Sequence, residues 1–120
     1  MATGRIHCWD GEDMTATLLQ INFKYSGTRK VYEETFMPAA QMIADDEGLK
    51  WKVWIWDEET REGGGEYLFE SKAAARVYLD GPIITQAKEN PDITDVSVKQ
   101  FEILERPTAV TRGPVSLAVS

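Results

Sequence analysis

Two short stretches carry the residues best equipped for chemistry: Trp51, Lys52 and Trp54 in GLKWKVWIW, and Tyr67 and Phe69 in GGEYLFES. Indole and phenyl rings offer flat apolar walls, and a phenol and an amine placed among them offer proton donors and a charge. If neighbouring strands bring these groups together, with the amides of Gln20 and Asn22 close by, the result is an apolar cleft with a few directed polar groups. That is the usual composition of a small-molecule site. The same residues would also serve as plain core with a lysine that snorkels to water, so the pattern leaves both readings open.

Other chemistries fit the chain poorly. Gly63, Gly64 and Gly65 have no following Lys-Ser or Lys-Thr pair and no helix start, so they read as a hairpin turn and not as a phosphate cradle. The acids at Asp45, Asp46 and Glu47, and at Asp57, Glu58 and Glu59, read as solvated loop charge and not as a cation site. The only histidine, His7, adjoins the only cysteine, Cys8. Two such ligands do not close a metal site, and one histidine cannot supply a multi-histidine centre. A net charge of −7 repels phosphate backbones, so nucleic acid is not an expected partner. Aromatic strands would suit an RNA-recognition module, but its basic and glycine-rich signature is missing. A single cysteine forms no internal disulfide, no secretory leader is visible and no apolar run reaches membrane-spanning length. A cytoplasmic protein that does not contact the membrane is expected.

The elements that must position the candidate residues follow from periodicity. At 120 residues the chain has room for one core. Residues 1–13 have no period and read as a flexible leader, 14–104 as the domain, and 105–120 as a tail with enough apolar residues to pack on a partner subunit. Residues 16–25 alternate, with Leu19, Ile21, Phe23 and Tyr25 on one face and Leu18, Gln20, Asn22 and Lys24 on the other, so they form the first strand. Tyr32, Phe36, Ala40 and Ile43 recur at helical spacing over 31–46, where Pro38 forces a kink or a late start and Gly48 supplies the C-cap. Residues 49–56 and 66–70 form the two arms of a hairpin whose turn occupies 57–65. Ser71 caps a second helix to which Val77, Tyr78 and Leu79 contribute apolar contacts, and a short helical turn over 83–89 follows. Residues 93–104 are the last strand, with a bulge near Lys99 or burial on both faces.

The order strand, helix, strand, strand, helix, strand predicts an α+β, ferredoxin-like βαββαβ protomer with a four-stranded antiparallel sheet. In the hairpin, Trp51, Val53 and Ile55 point one way and Lys50, Lys52, Trp54 and Trp56 the other. A sheet apolar on both faces needs two covers, and the chain's own helices supply one. The second is expected from another copy, as a homodimer.

The segments ATLLQINF, GLKWKVW, GGEYLFES with its Ala-rich helix, DVSVKQFEI and, more weakly, TRGP resemble the YdhR-type mono-oxygenase family. This family lies within the dimeric α/β-barrel superfamily that includes antibiotic-biosynthesis mono-oxygenases. The resemblance covers residues 16 to about 114. It implies a dimeric α/β barrel and a cavity between sheet and helices that takes an electron-rich aromatic or quinol-like molecule. It also implies mono-oxygenation with no cofactor and no metal, the deprotonated substrate giving an electron directly to oxygen. Tyr67 and Phe69 match pocket-lining strand positions; Lys52 would stabilise a phenolate and Tyr67 would relay a proton, with Trp51, Trp54, Gln20 and Asn22 as binding residues. The alternative is a non-catalytic dimeric barrel that binds a small hydrophobic ligand.

Overall fold

A computed structural model describes residues 16–115. The expected leader, with His7 and Cys8, and the tail residues Leu117 and Val119 lie outside the described residues. Strand β1 (Thr17–Tyr25) is followed by α1 (Arg29–Ala44), the strands β2 (Leu49–Asp57) and β3 (Glu62–Phe69), α2 (Lys72–Leu79), α3 (Pro82–Glu89), β4 (Ile93–Glu102) and a short α4 (Glu105–Val110). The strands form one antiparallel sheet in the order β2-β3-β1-β4, the ferredoxin-like arrangement.

Alternation in β1 sets the two faces. Leu19, Ile21, Phe23 and Tyr25 are buried under the helices with Tyr32 and Ile43 of α1, Ala75 and Tyr78 of α2, and Ile84 of α3. The Thr28 hydroxyl caps α1 by accepting from the Val31 amide at 3.2 Å, and Ser71 caps α2 by accepting from the Ala74 amide at 3.1 Å. Each satisfies a backbone donor that the first turn leaves free. Pro38 lies inside a helix that begins nine residues earlier, so it does not mark a late start. Ala39 packs on the core while Ala40 faces an outer groove. Val77 is exposed; the core contacts of α2 come from Ala75 and Tyr78.

Three local expectations are corrected. The hairpin turn is the four residues 58–61, and Gly63, Gly64 and Gly65 are buried inside β3. The positive φ that the turn needs is supplied by Arg61 (φ 57°), whose guanidinium donates to the Gly27 carbonyl at 2.8 Å. Glycine is required in the strand because neighbours lie across it: a Cβ on Gly64, at φ 149°, would run into the Ile21 carbonyl. Gly48 is likewise not the cap of α1. Asp45 ends that helix, and Gly48 sits where a Cβ would come within 2.6 Å of the Ala74 Cβ, so it permits close packing of β2 against α2. The irregularity in β4 falls at Asp95 (φ 55°), between the partners of Asn22 and Lys24, and not near Lys99. It turns Val96 and Val98 toward the helices and leaves Lys99 and Phe101 on the opposite face.

A second irregularity, between Leu49 and Trp51, lets Leu49 and Lys52 share the helix-covered face. The other face carries Leu18, Trp51, Val53, Ile55, Leu68 and Phe101, of which Val53 is 52% and Phe101 48% exposed. After α4 the chain returns across this face, where the Pro114 carbonyl accepts from the Trp51 indole at 2.9 Å. No helix among the described residues is long and apolar enough to cross a membrane.

Candidate functional site

Between the sheet and helices α1 and α3 lies a cavity of about 340 Å³. Ile21, Phe23 and Val98 form part of its floor, and Phe36, Met42 and Ile84 part of its roof. Its walls are mainly apolar, so each polar atom that reaches it stands out. These are the Lys52 amine and the hydroxyls of Tyr32, Tyr67 and Tyr78, with Thr35, Gln86, Lys88 and Asn90 also on its lining.

Lys52 reaches this space because of the glycines beside it. Lys52 and Trp54 lie opposite Tyr67 and Gly65 of β3. A Cβ on Gly65 would sit 2.5 Å from the Lys52 Cε, so the missing side chain leaves the channel in which the lysine stem lies. The Nζ is 3.2 Å from the centroid of Trp54 and 4.4 Å from that of Tyr67. Aromatic faces attract an ammonium, but they replace its water poorly. Burial therefore lowers the Lys52 amine from 10.5 to about 7. At neutral pH it is divided between a charged acid and a free base.

The tyrosines are shifted the other way. Tyr67 and Tyr78 share a buried hydrogen bond between hydroxyls, 3.0 Å apart. Burial, then the proximity of Tyr78, pushes Tyr67 far above the ordinary phenol range. Burial raises Tyr78 to about 12, against the opposing effect of its bond to Tyr67. Burial also raises Tyr32 to about 12, against a backbone hydrogen bond from Gly64. All three keep their protons at neutral pH; within the Tyr67–Tyr78 pair one O–H is used by the other hydroxyl, which leaves one for the cavity. The site thus combines one base that titrates near neutrality with phenols that do not.

The sequence-predicted residues divide by face. Lys52, Trp54 and Tyr67 line the cavity together. Phe69 has the same parity but is fully buried behind Tyr67, stacked on it at 5.9 Å, and supports the wall without reaching the space. Trp51, Gln20 and Asn22 point away from the cavity: Trp51 is held by Pro114, and the Gln20 amide donates to Glu66 at 2.8 Å. Parity in β1 and β2 separates them from Lys52 and Leu19 but does not by itself say which face adjoins the cavity. Tyr32 and Tyr78 are cavity groups that periodicity read only as core. The available signal was the hydroxyl itself, because a tyrosine at a buried helix position needs a polar partner that phenylalanine does not.

A second, more open depression of about 570 Å³ runs between α1 and the edge strand β2 and shares Tyr32, Phe36 and Trp54 with the cavity. Trp56 stacks on Tyr32 at 5.3 Å there and donates its indole N–H to Glu58. Among the described residues, no three His, Cys, Asp or Glu side chains converge as metal ligands would.

Comparison with known proteins bears on this geometry. Residues 18–114 match the model of the family described as "Putative mono-oxygenase ydhR". Comparison with curated proteins finds no match. Among solved structures, the chain is similar to the NE2512 protein of unknown function from Nitrosomonas europaea, with 16% identity over 77% of this chain and 92% of that one and a TM-score of 0.65. It is similar to SnoaB, a cofactor-independent oxygenase from Streptomyces nogalater, with 15% identity over 72% and 91% of the two chains and a TM-score of 0.60. It is also similar to the haem degrader MhuD from Mycobacterium tuberculosis, with 20% identity over 72% and 95% and a TM-score of 0.57. At these identities the structural likeness establishes the fold.

Proposed function

The chain belongs to the YdhR mono-oxygenase family, and from that premise we propose that it oxygenates an electron-rich aromatic or quinol-like small molecule in the cavity beneath α1 and α3. The observation that carries the reading is the Lys52 amine, half neutral near pH 7 and held between Trp54 and Tyr67 in an apolar space. A free amine there takes the proton of a bound phenol. The ammonium it becomes then lies beside the phenolate and stabilises it. A phenolate gives up an electron far more readily than a phenol, so deprotonation prepares the substrate to reduce oxygen directly. One oxygen atom enters the substrate and the other leaves as water, with all four electrons drawn from a methylene-to-carbonyl oxidation of an anthrone-type ring. Tyr67 and Tyr78 retain their protons; one hydroxyl donates to the other, which leaves the pair one O–H to orient the substrate oxygen.

Oxygen uptake with a hydroxylated anthrone tests this. The expected result is one oxygen molecule consumed per quinone formed, and a kcat/KM that rises through pH 7 as Lys52 loses its proton. Lys52→Met is expected to lower kcat/KM by about 10²- to 10⁴-fold, the usual range for a positioned base. Trp54→Ala is expected to raise KM. Saturable quenching of tryptophan fluorescence with no oxygen uptake would support the non-catalytic binder instead.

The exposed apolar groups on the second sheet face, Val53 and Phe101 with half-buried Ile55 and Leu18, favour a homodimer through that face. Sedimentation is expected to give twice the chain mass at micromolar concentration; a stable monomer would refute this assembly.

A further inference from the structure

Among the described residues, no carboxylate lines the cavity that holds the Lys52 amine. Lys52 is flanked by two aromatic rings, its stem lies in the channel left by Gly65, and the space it faces is lined mainly by apolar side chains. At about 340 Å³ that space is large enough for a small ligand. A lysine desolvated in an apolar pocket is one of the two arrangements that turn this side chain into a nucleophile. The base reading uses only its affinity for a proton, whereas its lone pair can also attack carbon.

We propose that Lys52 is a carbonyl-capturing site, forming a reversible imine with apolar aromatic aldehydes that enter the cavity. The Lys52 nitrogen adds to the aldehyde carbon to give a carbinolamine. The carbon–oxygen bond then breaks, oxygen leaves as water with the two protons lost from the amine, and a carbon–nitrogen double bond remains. No oxidant or reductant is consumed. The walls favour this outcome twice: Trp54 and the neighbouring rings hold the aryl group, and a mainly apolar space keeps the water that would reverse the step scarce. Tyr67 and Tyr78 are on the same lining and keep their protons; one hydroxyl donates to the other, and the remaining O–H of the pair donates to the departing oxygen.

Selectivity follows from the proton balance. An ordinary lysine at a pKa of about 10.4 is neutral in roughly one part in two to three thousand at pH 7, whereas burial leaves Lys52 about half neutral. Lower basicity reduces the attacking power of each neutral amine, so the net advantage is smaller than that ratio. The proposal stands whether or not the chain turns over oxygen.

The test uses the full-length chain at pH 7 with 2-naphthaldehyde, reduction by cyanoborohydride, and peptide mapping by mass spectrometry. Lys50, exposed and two residues away on the same strand, is the internal control. The expected result is a naphthylmethyl adduct on Lys52 at least about tenfold above Lys50. It should be suppressed by 1-naphthol, which occupies the cavity without a carbonyl, and abolished as a preference in urea. Lys52→Arg, which keeps the charge, should lose the adduct while retaining the folded circular dichroism spectrum. Equal labelling of Lys50 and Lys52, or labelling of Lys52 that 1-naphthol does not reduce, overturns the proposal. Oxygen uptake measured on the same preparation separates the two readings, since an inert Lys52 amine with undiminished uptake removes the imine alone.

Discussion

Replacing Lys52 by methionine removes an amine that the fold holds against its preference, and the pH dependence of stability measures how strongly. The folded chain binds the Lys52 proton only below about pH 7, while the unfolded chain holds it up to 10.5. Between those values the unfolded state carries the extra proton, so raising the pH stabilises the fold. Below pH 7 both states are protonated and the full penalty applies; above 10.5 it is gone. A shift of that size corresponds to roughly 4–5 kcal/mol of desolvation. The Trp54 contact favours the ammonium by about 0.5–2 kcal/mol, which is smaller and leaves the direction unchanged. From pH 6 to pH 9 wild type should gain about 2.5 kcal/mol relative to Lys52→Met. The assay is urea denaturation of both chains, at equal concentration, at several pH values. Far-ultraviolet circular dichroism is the right probe, because Trp54 fluorescence will respond to Lys52 titration without any unfolding. Wild type should be the less stable chain at pH 6 and close much of the gap by pH 9. Parallel profiles, separated by a constant, would show that Lys52 keeps an ordinary ammonium and would remove the basis for its role as a base.

Tyr67→Phe leaves the buried Tyr78 hydroxyl without its partner and should cost about 1–3 kcal/mol in denaturation experiments. The double change with Tyr78→Phe should cost less than the two singles added together. Gly64→Ala combines positive φ with a clash against the Ile21 carbonyl and should destabilise by about 3 kcal/mol or more, or prevent accumulation of folded chain; near-normal stability would show that β3 can move away from β1. Gly65→Ala has no φ penalty but drives the Lys52 Cε off its channel, so the amine should move toward water and the rising limb of kcat/KM should shift above pH 7. An unmoved limb would show that Gly65 does not position the amine.

The fold was legible because its signals were redundant. Four apolar residues at alternate positions in β1, a capping serine before the Ala-rich α2, and two aromatic arms joined by a charged segment all pointed to the same topology. The site was legible only to the extent that parity held. Lys52, Trp54 and Tyr67 share a face because β2 and β3 pair without irregularity between Trp51 and Asp57. Periodicity sorts Trp51 from Lys52, and Gln20 and Asn22 from Leu19, but it does not say which face adjoins the cavity, so residues of both faces are candidates in the sequence and only the packing of the helices decides between them.

The glycine triplet meets the same limit. Alone, Gly63, Gly64 and Gly65 say only that no side chain is wanted, and a turn is the commonest reason. What excludes side chains here comes from other segments: Tyr32 and Trp56 over Gly63, the Ile21 carbonyl against Gly64, and the Lys52 stem over Gly65. Three of these four neighbours, Tyr32, Ile21 and Lys52, also line the cavity. The bare stretch of β3 is therefore part of how the site is made, since it lets an edge-strand lysine reach inward across its neighbour and come to rest between two rings. A glycine run inside a strand, read beside a lysine and tryptophans on the adjoining strand, is consequently a sign of a buried side chain crossing the sheet. The Gly65 and Lys52 substitutions above test that link from opposite sides, one by filling the channel and the other by emptying it.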